Sequence, residues 1–182
     1  MTNKLHFLPY TADMIEPVIA LYQQTFADAE GEAEGKNIGG LVRSMLTTTG
    51  ADDLFGFVAM LNDNYVGAIL FTRMCFEIPV NSFILSPVAV STKVQKQGIG
   101  QQLINHGIGQ LAEQGAELLL TYGDPNYYSK VGFEPITEQQ IKAPQPMSFP
   151  HGWLGQSLVA ETVPSISGDS RCVDALNKPE YW

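Results

Sequence analysis

The 182-residue chain has no apolar run near the roughly eighteen residues a bilayer-crossing helix needs. Its longest candidate, YVGAILF at 65–71, is strand-sized. The start, MTNKLHFLPY, has no long apolar core of the secretory-signal kind, so a cytoplasmic protein without a membrane partner is expected. Cysteine is scarce. Cys75 and Cys172 stand far apart in no metal-ligand spacing and read as buried free thiols. His6, His106 and His151 are scattered, and no metal is expected. Basic residues are few: 10 Lys and Arg against 19 Asp and Glu give a net charge of −9. The average surface then repels DNA or RNA and tolerates or attracts a cation, so no nucleic-acid partner is expected.

What is present is a globular composition. At 45% hydrophobic and 16% charged residues, the chain can bury a core. It has no internal repeat or low-complexity tract. One domain over 1–182 is expected, with a core at about 4–140 and a C-terminal extension at about 141–182.

Hydrophobic spacing sets out the elements. Lys4–Tyr10 alternates as a first strand. Thr11 and Asp13 offer cap chemistry to a helix whose stripe is Ile15, Val18, Ile19, Tyr22 and Phe26, with Pro17 tolerated near its start. Ala27–Gly40 reads as an acidic, glycine-rich loop, and a second helix as Leu41–Thr48. LFGFVAML and YVGAILFTRMCF are strands joined through Asn62-Asp63-Asn64, a hairpin signal. SFILSPVAV is a strand interrupted by Pro87. A helix from about Gly98 to Gln114 is closed by Gly115, and AELLLTY is a buried strand. In GDPNYYSKVGF, Asp124 is a candidate N-cap with Pro125 at the first helical position. Ser157–Thr162 reads as a late strand. The order implies an α/β fold with a mixed sheet, in which the strands around Ile84 and Thr121 run parallel.

Three stretches could carry chemistry. VQKQGIGQQL, 94–103, places Gly98 and Gly100 at a helix start, where free N–H groups and the helix dipole favour an anion. Gln95, Lys96 and Gln97 add donors. The same glycines also suit a tight strand-to-helix loop, and the spacing does not decide between these. It is neither a P-loop nor a dinucleotide fingerprint. Pro87 implies a bulge that would turn backbone groups of Val88, Ala89 and Val90 toward a ligand, or simply an edge-strand proline. Tyr128, four residues before Gly132, is placed either to donate a proton or to pack in the core.

Taken in this order, the stretches resemble the GNAT superfamily of acyl-CoA-dependent N-acetyltransferases. Gln95-Lys96-Gln97-Gly98-Ile99-Gly100 fits its Gln/Arg-x-x-Gly-x-Gly/Ala signature after a bulged strand, and YYSKVGF fits its Tyr-x-x-x-Gly-Phe motif. The GDPNYYSKVGF form resembles a bacterial subgroup. The likeness covers about 4–140. It implies a GNAT fold: a mixed central sheet with a bulged, splayed strand pair, flanked by helices. It also implies acetyl-CoA as cosubstrate, without metal, and transfer to a small-molecule or peptide primary amine by direct attack. Val88, Ala89 and Val90 would pair with the pantetheine amides, and backbone N–H groups from Lys96 through Gln97, Gly98, Ile99 and Gly100 to Gln101 would hold the pyrophosphate. Tyr128 would protonate the departing thiolate.

The sequence departs from the family in two places. The bulged strand carries no glutamate; Ser86 stands near that place, and the base is left open among Glu77 on the preceding strand, a water chain ending in solvent, and none at all. Thr121 replaces the family's asparagine seven residues before the tyrosine, and Asn126 is nearer. Glu30, Glu32 and Glu34 fall on the acceptor wall that the resemblance implies, where they would attract an ammonium group or form a solvated acidic loop. Phe149, Trp153, Tyr181 and Trp182 could cover an acceptor cleft, bury a homodimer contact or pack against the domain. A non-catalytic CoA-binding module and a different acyl donor are the competing readings.

Overall fold

The computed structural model describes residues 4–182. A seven-stranded sheet has the order β1-β2-β3-β4-β5-β7-β6. The strands are β1 Leu5–Pro9, β2 Leu54–Leu61, β3 Asn64–Met74, β4 Ser82–Val90, β5 Leu118–Tyr122, β6 Glu134–Pro135 and β7 Trp153–Ser157. The helices are α1 Ile15–Glu30, α2 Glu32–Thr48, α3 Ile99–Glu113 and the single turn α4 Pro125–Tyr128. β4 and β5 are parallel, whereas β1–β2, β5–β7 and β6–β7 are antiparallel. The chain divides into two compact units, Met1–Leu70 with Pro87–Ile108 and Phe71–Ser86 with Gly109–Trp182.

In the first unit, the β2–β3 hairpin turns on Asn62 and Asp63, whose φ values of 49° and 62° are those of a type I′ turn. The expected cap residues serve a short 3-10 turn instead. Thr11 precedes Ala12–Met14 and its hydroxyl donates to Asp13, and α1 begins only at Ile15. Of the stripe on α1, Val18, Ile19 and Tyr22 are buried and Ile15 and Phe26 half-buried.

The expected acidic loop at Ala27–Gly40 is not a loop. α1 runs to Glu30, a single residue, Gly31 with φ 99°, breaks the helix, and α2 starts at Glu32. The glycines that suggested irregular chain are packing residues. A Cβ on Gly35 would lie 2.5 Å from the backbone oxygen of Gln23 and 2.8 Å from Cβ of Ala27, so its absence lets α1 and α2 approach closely. Glu32 and Glu34 occupy the first turn of α2, where carboxylates favour the helix dipole.

In the second unit, Asp124 caps α4 by accepting from the backbone N–H of Asn126 at 2.9 Å, and Pro125 takes the first helical position, as the sequence implies. The late strand lies earlier than Ser157–Thr162. β7 is Trp153–Ser157, paired residue by residue with Tyr122–Leu118. Its end is chemical: the Ser157 hydroxyl accepts from the N–H groups of Val159 and Ala160 and curls the chain out of the sheet. The aromatic extension mostly packs. Trp153 and Trp182 are buried with ring centroids 5.8 Å apart, and each indole N–H meets a carbonyl, Ile141 and Leu176 respectively. Phe149 remains 51% exposed.

The α1–α2 contact yields a paired test. Gly35→Ala should destabilise by about 1–3 kcal/mol, the usual cost of overpacking. Gly40→Ala, where an added Cβ meets nothing within 4 Å, should stabilise by up to about 1 kcal/mol from helix propensity. Thermal melts of the two variants check the contrast in sign.

Candidate active site

β4 organises the candidate site. Its ladder to β5 is four pairs long, from Ser82↔Leu118 to Leu85↔Thr121, while β4 itself continues to Val90. At the last pair the Leu85 carbonyl accepts from Thr121 Oγ1 at 2.8 Å, so it faces the β5 side. Six residues on, the Ser91 N–H donates to the Val66 carbonyl of β3 at 2.8 Å. Residues six apart on a regular strand turn their peptide groups the same way, so β4 slips by one residue in between. Pro87 lies in that interval, where the sequence implies a bulge. Its carbonyl is held by the buried hydroxyl of Tyr22 on α1 at 2.8 Å.

The slip sorts the last strand residues. Ala89, two before Ser91, turns its peptide groups to β3. Val90 turns the other way, and its carbonyl already accepts from Gln95 Nε2 at 2.9 Å. Gln95 is therefore a staple across the loop start, with its amide engaged by β4.

The loop before α3 has two residues in the left-handed region, Lys96 at φ 62° and Gly98 at φ 78°. Such a conformation is uncommon for a lysine and turns successive N–H groups inward, as anion-binding nests do. The first α-helical bond of α3 is Gln102 N–H to Gly98 O, so the N–H groups of Ile99, Gly100 and Gln101 start the helix without an i−4 carbonyl inside it. Lys96, Gln97 and Gly98 are exposed, and Ile99 and Gly100 are buried.

In the second unit, Tyr128 sits on α4 with its ring against Gly123 and edge-on to Phe133. Burial pushes its phenol well above the ordinary tyrosine value; Tyr127 and Asp124 push the same way, and a hydrogen bond with the Thr121 side chain opposes them. Thr121 is fully buried and donates its hydroxyl hydrogen bond to Leu85 O. The departure from the family's asparagine thus puts a buried hydroxyl beside the tyrosine. The sequence carried no sign of it beyond a threonine in a buried strand. Asn126 serves the cap, and its carbonyl accepts from Ser129 Oγ.

Other expected residues lie elsewhere. Glu77 is not on β3, which ends at Met74; it is exposed in the following loop and accepts from the Asp169 N–H. Ser86 is half-buried on β4. Glu30 and Glu34 flank the Gly31 joint, exposed and half-buried respectively. Cys75 and Cys172 are free and half-buried rather than fully buried. Cys75 pairs with Arg171, and burial pushes the Cys172 thiol up to about 11. His106 packs between the rings of Phe7 and Phe57. Among the described residues no three His, Cys, Asp or Glu gather as a metal site, and no helix is long and apolar enough to cross a membrane.

Residues 52–135 match the family model for the acetyltransferase (GNAT) domain. The uncharacterized N-acetyltransferase YjhQ of Escherichia coli K12 is 35% identical over 140 residues, 74% of this chain and 77% of that protein. The chain belongs to the GNAT family. It is accordingly an acyltransferase. The fold of this GNAT protein is that of E. coli YhbS crystallised with CoA, at TM-score 0.81 and 21% identity over 98% of this chain and 94% of that one. A Brucella melitensis GNAT acetyltransferase crystallised with acetyl-CoA has a TM-score of 0.73 at 20% identity, over 96% and 99%.

The buried phenol sets a pH prediction. A raised acid pKa keeps the proton on through and beyond the ordinary value near 10. The ultraviolet difference titration between wild type and Tyr128→Phe should therefore show no phenolate from Tyr128 at pH 10. A step at or below pH 10 would contradict the burial account.

Proposed function

We propose that this GNAT protein transfers the acetyl group of acetyl-CoA to a primary amine, by direct attack of the neutral amine in a ternary complex. The observation that carries the reading is the left-handed pair Lys96 and Gly98 leading into the unpaired N–H groups of α3. That arrangement fits a pyrophosphate, and the crystallised neighbours hold CoA and acetyl-CoA.

Acetyl-CoA supplies a thioester whose carbonyl the amine attacks. The chain's own groups then divide the work. The N–H groups of Ile99, Gly100 and Gln101, with the loop donors Lys96 and Gln97, hold the pyrophosphate. The Val88 peptide groups and the Val90 N–H take pantetheine amides, and a strand N–H near Val88 polarises the carbonyl. Tyr128, kept protonated by burial, gives its proton to the departing sulfur, and the proton that the acylated amine nitrogen loses restores the phenol. An alkyl ammonium titrates near 10.4, so the reactive neutral amine is a minor species at neutral pH. Glu30, Glu32 and Glu34 at the α1–α2 joint would draw the cation in. The acceptor class is a small-molecule or peptide amine.

Calorimetry with acetyl-CoA and an amine panel followed by thiol release test the reading together. Binding by acetyl-CoA with acetyl transfer to an amine is expected. Binding without thiol release would mark a CoA-binding module instead, and no binding would remove the reading altogether. Tyr128→Phe should lower kcat by roughly 10- to 1,000-fold, the range around general-acid contributions, with CoA affinity little changed. An unchanged kcat would take Tyr128 out of the chemistry.

A further inference from the structure

Asp28 lies in the last turn of α1, where a carboxylate opposes the helix dipole. Its placement therefore calls for a compensating role. Oδ2 accepts from Thr92 Oγ1 at 2.7 Å and Oδ1 accepts from Gln24 Nε2 at 2.7 Å. These bonds, with the Lys93 ammonium nearby, hold its carboxyl below the usual carboxylate range.

Thr92 opens the short 3-10 turn Thr92–Val94 that leads from β4 into the candidate cradle. The turn has three further ties: Ser91 N–H to Val66 O, Val94 N–H to Ser91 O, and Gln95 Nε2 to Val90 O. All three return to β3, to β4 or to the turn itself. The Asp28–Thr92 bond joins the turn to α1, the helix whose Tyr22 also holds the Pro87 carbonyl of β4. Two residues of α1 six apart thus grip the strand and the loop on either side of Val88–Val90. Past Gln95 the chain must enter the left-handed conformation at Lys96. That is unfavourable for a lysine and persists only where the flanking chain is fixed.

We infer that Asp28 is a positioning residue for the cosubstrate: through Thr92 it fixes the turn that aims the cradle N–H groups at the CoA pyrophosphate. The inference rests on the acetyl-CoA reading above. The action runs through one hydrogen bond, and its negative charge is incidental, since a bare carboxylate near the cradle would repel a pyrophosphate. Asparagine presents the same acceptor oxygen without the charge and should replace Asp28. Alanine should not.

Steady-state kinetics with acetyl-CoA as the varied substrate, together with calorimetric CoA affinity, test this. Asp28→Ala and Thr92→Val should each raise KM for acetyl-CoA and the CoA Kd about five- to tenfold, the scale of one lost hydrogen bond. The double variant should be no worse than either single one, and kcat at saturation should stay within twofold. Asp28→Asn should keep wild-type KM. A melting temperature within a few degrees of wild type for all variants separates positioning from loss of fold. The inference is overturned if Asp28→Ala leaves KM and Kd within twofold, if the two effects add, or if Asn fails as Ala does. If wild type does not bind acetyl-CoA, the functional reading itself fails, a result distinct from any of these.

Discussion

The site depends on one constraint: a backbone carbonyl or N–H removed from water must find a partner. β4 leaves β5 after Leu85, and from that point its peptide groups lose the ladder. Side chains take over some of them. Thr121 reaches the Leu85 carbonyl, Tyr22 the Pro87 carbonyl and Gln95 the Val90 carbonyl. Proline at 87 removes one N–H outright. In the proposed function, Val88 and the N–H of Val90 are the groups an amide-bearing ligand chain would engage. An edge left open would be a liability for pairing with other chains. Here it is short.

Local strain follows from the same logic. Lys96 and Gly98 sit in the left-handed region on the approach to α3. Only glycine enters that region freely, and a lysine there signals a conformation imposed by its surroundings. The staples at Thr92 and Gln95 supply the imposition, and the N–H groups at the start of α3 are the result. In the second unit the constraint is desolvation rather than strain. Burial keeps the Tyr128 proton on, and Thr121 links that proton to a strand carbonyl. The raised phenol also makes Tyr128 a reluctant acid.

Much of this was legible in the residues. The hairpin at Asn62–Asp63, the cap at Asp124–Pro125 and the stripe on α1 follow from local chemistry, where a few neighbours decide the conformation. The GNAT fold and family followed from the ordered motifs around Gly98 and Tyr128. The failures came where distant packing decides. Gly35 and Gly39 read as loop residues, yet they serve a helix pair whose contact partner is Gln23, twelve and sixteen residues back. Ser157–Thr162 read as a strand, but pairing with β5 placed β7 earlier and Ser157 ended it. Glu77 seemed to extend β3, and instead belongs to a loop tied to Asp169. The Thr121–Leu85 bond and the Asp28 clasp join residues 36 and 64 apart in the chain, a separation no local pattern encodes.

The account's central claim is that backbone N–H groups of two short segments receive the cosubstrate. An amide NMR titration with CoA addresses it residue by residue. The account predicts the largest shifts at the N–H groups of Gly98, Ile99, Gly100 and Gln101, with Val88 and Val90 shifting at the same ligand concentrations and Ala89 less. CoA binding that leaves those amides unmoved, with the shifts elsewhere, would contradict it.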